Sequence, residues 1–191
     1  SSTNFAVGDV SVAGGTLSGF AGSGTTYTAT WTPPASGSGT TTISVTANKF
    51  TDAAGNNNTA SAALSITWNA DRPSVAVTRV GSATVGAGQT VLVTFTLSES
   101  SSNFAAGDID VSSGTLSGFT GSGTTYTATW TPPASGSGTA TISVPVNKFT
   151  DAAGNNNTAS VALSITYDTN PATTTTLAQS GLTNSPGASV P

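Results

Sequence analysis

Residues 4–68 of this chain return as residues 103–167, and 54 of the 65 aligned pairs are identical. Most of the differences are mild, such as Val10/Ile109 and Trp68/Tyr167. A period near 100 is too long for one turn of a solenoid and suits one β-sandwich domain of a tandem array. The copies are unequal in extent. Residue 1 aligns with Ser100, so the first copy has no counterpart of Pro73–Glu99, and the complete copy runs from about Pro73 to Asp168. Pro171 answers Pro73, and Thr173–Gln179 reads as the first strand of a third unit. The expected organisation is a module lacking its first two strands (1–68), a linker (69–73), a complete module (74–168), and a linker with the start of a third unit (169–191). The chain therefore reads as a section of a longer protein.

Within the complete copy, apolar and polar residues alternate in short runs, the period of half-buried strands. Seven strands are expected: A over Val75–Val80, B over Thr90–Leu97, C over Ile109–Ser112, D over Thr115–Phe119, E over Thr124–Thr131, F over Thr139–Val146 and G over Ala159–Tyr167. Gly121-Ser122-Gly123 and Pro132–Gly138 supply turns. Helical periodicity is missing. The fold expected is all-β, immunoglobulin-like β-sandwich modules in tandem, with Phe95, Tyr126, Trp130, Ile142, Val144, Leu163 and Ile165 in the core of the complete copy. Without cysteine it is not the disulfide-stapled kind.

Composition removes several functions. Four basic against eight acidic residues give a net charge of −4, the wrong sign for nucleic acid. The chain has no His, which excludes His-based acid–base and His–metal chemistry. No Ser has an evident base partner, so nucleophilic catalysis lacks its parts and no enzyme is expected. No apolar run reaches the roughly 18 residues of a membrane span.

The densest polar segment is NKFTDAAGNNN, present at Asn48–Asn58 and Asn147–Asn157. It falls in the loop between strands F and G. In an up-and-down strand order, the B–C, D–E and F–G loops share the pole at which the linker arrives. Glu99 and Asp108 from the B–C region, Asp151 and Asn155 from the F–G loop, and Asn69 and Asp71 from the linker are expected to converge there. Oxygen ligands of this kind suit Ca²⁺, which takes about 6–8 of them. The first copy offers Asp9, Asp52 and Asn56 at matching positions, and Asp168 lies in the second linker. The alternative is that all of these are solvated turn residues. The outward Thr rows read as a solvent face rather than a surface for ice or sugar, and Trp31 and Trp130 as core rather than sugar platforms. Lys49 and Lys148 read as exposed loop residues rather than isopeptide partners.

The run NFxxGDxxVxxGTLSGFxGSGTTYTATWTPP, then NKFTDAAGNNNTAS, then an acidic linker ending in Pro, resembles bacterial Ig-like repeats of large surface adhesins, often secreted by type I systems. The resemblance covers about residues 1–171. It implies a sandwich, tandem arrays, a bacterial cell-surface location and Ca²⁺ at the joints, with the acid pattern falling on Glu99, Asp108, Asp151 and Asp168. Asn69 departs from it, standing where the second copy has Asp168. The function expected is a spacer extending an adhesive tip, its partners being neighbouring modules of the same chain, with neither nucleic acid nor membrane insertion. The alternatives are a glycan- or cell-binding module and a filament or surface-layer subunit.

Overall fold

The computed structural model describes residues 1–172; the expected strand Thr173–Gln179 lies outside them. The first repeat contains β1 (Val10–Val12), β2 (Thr16–Ser23), β3 (Thr26–Thr32), β4 (Ser38–Val45) and β5 (Leu64–Asn69). The second contains β6 (Val75–Arg79), β7 (Thr84–Gly86), β8 (Val91–Ser101), β9 (Asp110–Val111), β10 (Thr115–Thr131), β11 (Ser137–Ser143) and β12 (Leu163–Asp168). Short 3-10 turns at Val7–Asp9 and Ala106–Asp108 precede β1 and β9.

In the second repeat, one sheet has the order β10-β8-β6 and the other β7-β12-β11-β9. The core lies between them. Val75, Val93, Phe95, Tyr126 and Trp130 come from the first sheet, and Val85, Ala140, Ile142 and Ile165 from the second. The alternation read in the sequence sets this packing: Val91, Val93, Phe95 and Leu97 are all buried, while of the residues between them Leu92 and Thr96 are exposed and Thr94 is half-buried. Of the seven core residues expected, all are buried except Leu163, which is half-buried.

Strands D and E form one unbroken run, β10, through the Gly121–Gly123 turn. The run doubles back on itself. Gly114, at φ 78°, leaves no room for a Cβ, which would overlap the Thr131 carbonyl and the Trp130 indole from the far end of the run. The Trp130 Nε1–H donates to the Ser113 carbonyl at 2.9 Å, anchoring the ring there. An additional strand, β7, pairs in parallel with β12 through Val85↔Tyr167. Strand A thus splits, with β6 in one sheet and β7 in the other. Between Gly81 and Gly86 only Val85 is buried, too short a run to show alternation.

The first repeat has counterparts of β9 to β12 and none of β6 to β8. Its sheets are β1-β4-β5 and the hairpin β2-β3. A relic of β8 persists in the bridge Ser2↔Gly24, equivalent to Ser101↔Gly123. The consequence is an open core. Among the described residues, every buried apolar side chain lies at or beyond Pro73. Phe5, Leu17, Phe20, Tyr27, Trp31 and Ile43 instead line an apolar groove.

Candidate functional site at the joint between the repeats

β5 ends at Asn69 and β6 begins at Val75, so five residues connect the repeats. Nearly all are tied. The Ala70 N–H donates to the Gly37 carbonyl at 2.8 Å, and the Gly37 N–H donates to Asp71 Oδ1 at 2.8 Å, fixing the linker to the first repeat. Arg72 fixes it to the second. Its guanidinium donates to the carbonyls of Asn156 at 2.8 Å and Asn157 at 2.7 Å, and to Asn147 Oδ1 at 2.9 Å. The Pro73 carbonyl accepts from the Thr158 N–H at 2.9 Å.

The loop between β11 and β12 that receives Arg72 is organised by Asn157, which is fully buried. Its Oδ1 accepts from the N–H groups of Lys148 and Phe149, and its Nδ2 donates to the carbonyls of Pro145 and Thr158. Four backbone groups that no strand can satisfy are thus paired. Asn58 makes the same four bonds in the first repeat. Asn147, at φ 61°, supplies the left-handed residue that enters the loop. The segment NKFTDAAGNNN is therefore first a self-bonded loop. Asn157 and Arg72 carry roles that the sequence analysis did not assign them.

The expected convergence is only partly met. Glu99 lies on β8 rather than in a loop and does meet Asp151 across Asn69. The Asn69 Nδ2 donates to Glu99 Oε2 at 2.8 Å and more weakly to Asp151 Oδ2 at 3.4 Å. Asn155 joins them, its Nδ2 donating to Asp151 Oδ2 at 2.9 Å and to the Asn69 carbonyl at 3.1 Å. Asp108 closes its own 3-10 turn, accepting from the Ala105 N–H at 2.8 Å. Asp71 turns back to Gly37. Among the described residues no three acidic side chains form a group that could hold a metal. The reason is mostly local: Asp9, Asp52, Asp108, Asp151 and Asp168 accept from backbone N–H groups two to four residues away, and Asp71 from that of Gly37. Asp9 closes the Val7–Asp9 turn on the Ala6 N–H at 2.9 Å. The Asp52 carboxylate accepts from the N–H groups of Ala54 and Asn56 and the Asn56 amide. Asp168 accepts from the N–H and amide of Asn170.

Asp151 is 6% exposed. Burial raises its pKa, but the Asn155 side-chain amide and the N–H groups of Asn155 and Ala153 outweigh it, and the carboxyl sits below the ordinary 3.8. Asp52, exposed, is lowered chiefly by the Asn56 side chain.

The residues at this joint do not fit Ca²⁺ as arranged. A cation needs oxygens facing inward, and the space between Glu99 and Asp151 receives the Asn69 NH₂ group. The amide cannot simply turn over, because its Oδ1 accepts from the Asp71 N–H at 2.9 Å. Asn155 is held likewise, its NH₂ group already serving two acceptors.

Two facing β-sheets around one core, without disulfide, define an immunoglobulin-like sandwich. A family model for the bacterial Ig-like domain matches residues 1–68 and again residues 69–167, and the chain belongs to that family. Such domains are usually carried by exported surface proteins and are typically non-enzymatic. No characterised protein and no solved structure matches the chain. Among the described residues no helix is long and apolar enough to cross a membrane.

Proposed function

We propose that this chain is a spacer segment of a large bacterial cell-surface adhesin, holding other parts of that protein away from the cell. The observation that carries the reading is the five-residue linker, bonded to the first repeat through Gly37 and to the second through Arg72. A connection of this kind transmits orientation from one sandwich to the next, which a spacer requires and a tethered binding module does not. The surface is consistent with the role. Charged residues are 6% of the chain, and the Thr26, Thr28, Thr30 and Thr32 side of β3 is exposed, presenting hydroxyl groups to water. Stiffening by Ca²⁺ belongs in this reading to joints that carry a carboxylate at the position of Asn69, as Asp168 does. No catalytic step is proposed.

The test is small-angle scattering of the chain together with binding assays on a glycan array and on whole cells. The spacer reading expects an elongated particle of fixed length and no retained glycan or cell. Specific retention of a sugar would replace it with the binding-module reading. A maximum dimension that varies as for a flexible tether would remove the stiff-spacer role.

A further inference from the structure

We infer that the joint between the repeats is closed by an amide clamp that needs no metal, and that residue 69 decides whether such a joint requires a divalent cation. The geometry has three parts. Asn69 stands at the end of β5 with its NH₂ group toward two carboxylates that belong to the other repeat, Glu99 at 2.8 Å and Asp151 at 3.4 Å. Its Oδ1 is occupied by the Asp71 N–H, which sets the orientation of the amide. Asn155 returns a bond from the second repeat to the Asn69 carbonyl at 3.1 Å. Both repeats are therefore linked in both directions through one residue, and the hydrogens of a neutral amide do what a cation would otherwise do between Glu99 and Asp151.

The second copy carries Asp168 at this position. A carboxylate in place of Asn69 would set a third negative charge against Glu99 and Asp151 and remove the amide donor that they share. Like charges at such distances disfavour one another by an amount that grows as the site is desolvated. With Asp at position 69 this joint would close only when a cation supplies the missing positive charge, and three carboxylates with backbone carbonyls are the hard-oxygen set that Ca²⁺ accepts. The inference concerns the joint alone and stands whatever the repeats separate.

The chain has no cysteine, so Ser65→Cys and Ser164→Cys, both at exposed positions, introduce a unique pair of spin labels, one per repeat. The inter-repeat distance distribution is measured for the otherwise unchanged chain, for Asn69→Ala and for Asn69→Asp, each in excess CaCl₂ and in EGTA. The clamp predicts a narrow distribution for the unchanged chain, identical in both conditions. It predicts a broadened distribution for Asn69→Ala in both. For Asn69→Asp it predicts a broad distribution in EGTA that narrows in CaCl₂. Melting temperatures report whether each variant is folded. Narrowing of the unchanged chain by CaCl₂ would overturn the metal-free clamp. A response of Asn69→Asp no different from that of Asn69→Ala would overturn the assignment of cation dependence to residue 69.

Discussion

The seven residues TYTATWT occur as β3 and again as the second half of β10, and they meet two different fates. In the second repeat, Tyr126, Ala128 and Trp130 are 5%, 1% and 0% exposed; in the first, Tyr27 and Trp31 are half-buried and Ala29 is exposed. Local structure is nearly the same in both. Each Tyr hydroxyl donates to a Ser carbonyl, Tyr27 to Ser2 at 3.0 Å and Tyr126 to Ser101 at 2.8 Å. Each indole donates to the residue before a left-handed Gly, Trp31 to Gly14 and Trp130 to Ser113. The aromatic cluster survives too, with Phe5 against Tyr27 at 5.0 Å and Phe104 against Tyr126 at 5.1 Å. What differs is β8, which pairs Phe95 with Tyr126, Val93 with Ala128 and Val91 with Trp130. The hairpin is thus written in its own residues, whereas the burial that stabilises it comes from a strand about 30 residues away.

The largest effect should come from the most unequal pair. Trp130→Ala deletes a fully enclosed ring and is expected to cost about 3–5 kcal/mol. Trp31→Ala removes a ring already half in water and should cost less than half as much, read from the two transitions in urea unfolding of the full chain. Equal losses would mean that the first repeat has a closed core.

A smaller change should follow from supplying the missing strands. A synthetic peptide of residues 74–101, added to the full chain, is expected to stabilise the first repeat by RT ln(1 + [L]/Kd), about 2.7 kcal/mol at a hundredfold excess over Kd. The same peptide carrying Phe95→Asp should have no effect, because it sets a charge against Tyr27. Shifts in the lower of the two melting transitions measure this.

Asn157→Ala strands buried backbone groups and should cost about 1–3 kcal/mol for each that stays unpaired. At the half-buried Asn58, water can replace part of what is lost, so Asn58→Ala should cost visibly less in the same unfolding experiment.

Acid should distinguish the repeats least. The pKa of Asp151 is lower folded than unfolded, so the unfolded state binds the proton more readily. Its contribution is complete above about pH 5 and is lost as the pH falls through 3.8 toward the folded value. Asp151→Asn should flatten the acid limb of stability against pH for the second repeat. Asp52→Asn should alter the first repeat less, since the Asp52 carboxylate is exposed to solvent.

The strands of the sandwich were legible because alternation along β8, the Thr125–Thr131 half of β10 and β11 matches burial; the expected strands F and G overran, since Val146 and Val161 lie outside β11 and β12 and are exposed. β7 was not, since a single buried Val85 between glycines has no period. The joint was legible as a place but not as a geometry. Strand order correctly brought Glu99, Asp151, Asn155 and Asn69 to one pole. It could not show that Asp108 is used within its own turn, which depends on a hydrogen bond three residues away, or that Asp71 is taken by the Gly37 N–H of the first repeat. Nor could it show which end of the Asn69 amide faces the acids. The role of Asn157 was hidden by its neighbours: three successive Asn residues look alike in sequence, and only the loop path makes one of them the buried staple.

The most direct test of the comparison is hydrogen–deuterium exchange in one sample of the full chain, reading the identical peptides Thr26–Thr32 and Thr125–Thr131 side by side. Their sequences, and therefore their intrinsic exchange rates, are the same apart from flanking effects. With β8 covering only the second, residues 125–131 should exchange slowly, at rates set by unfolding of the closed core, and residues 26–32 should exchange far faster. Equal protection of the two segments would show that the first repeat closes its core without β6 and β8, and would contradict the account.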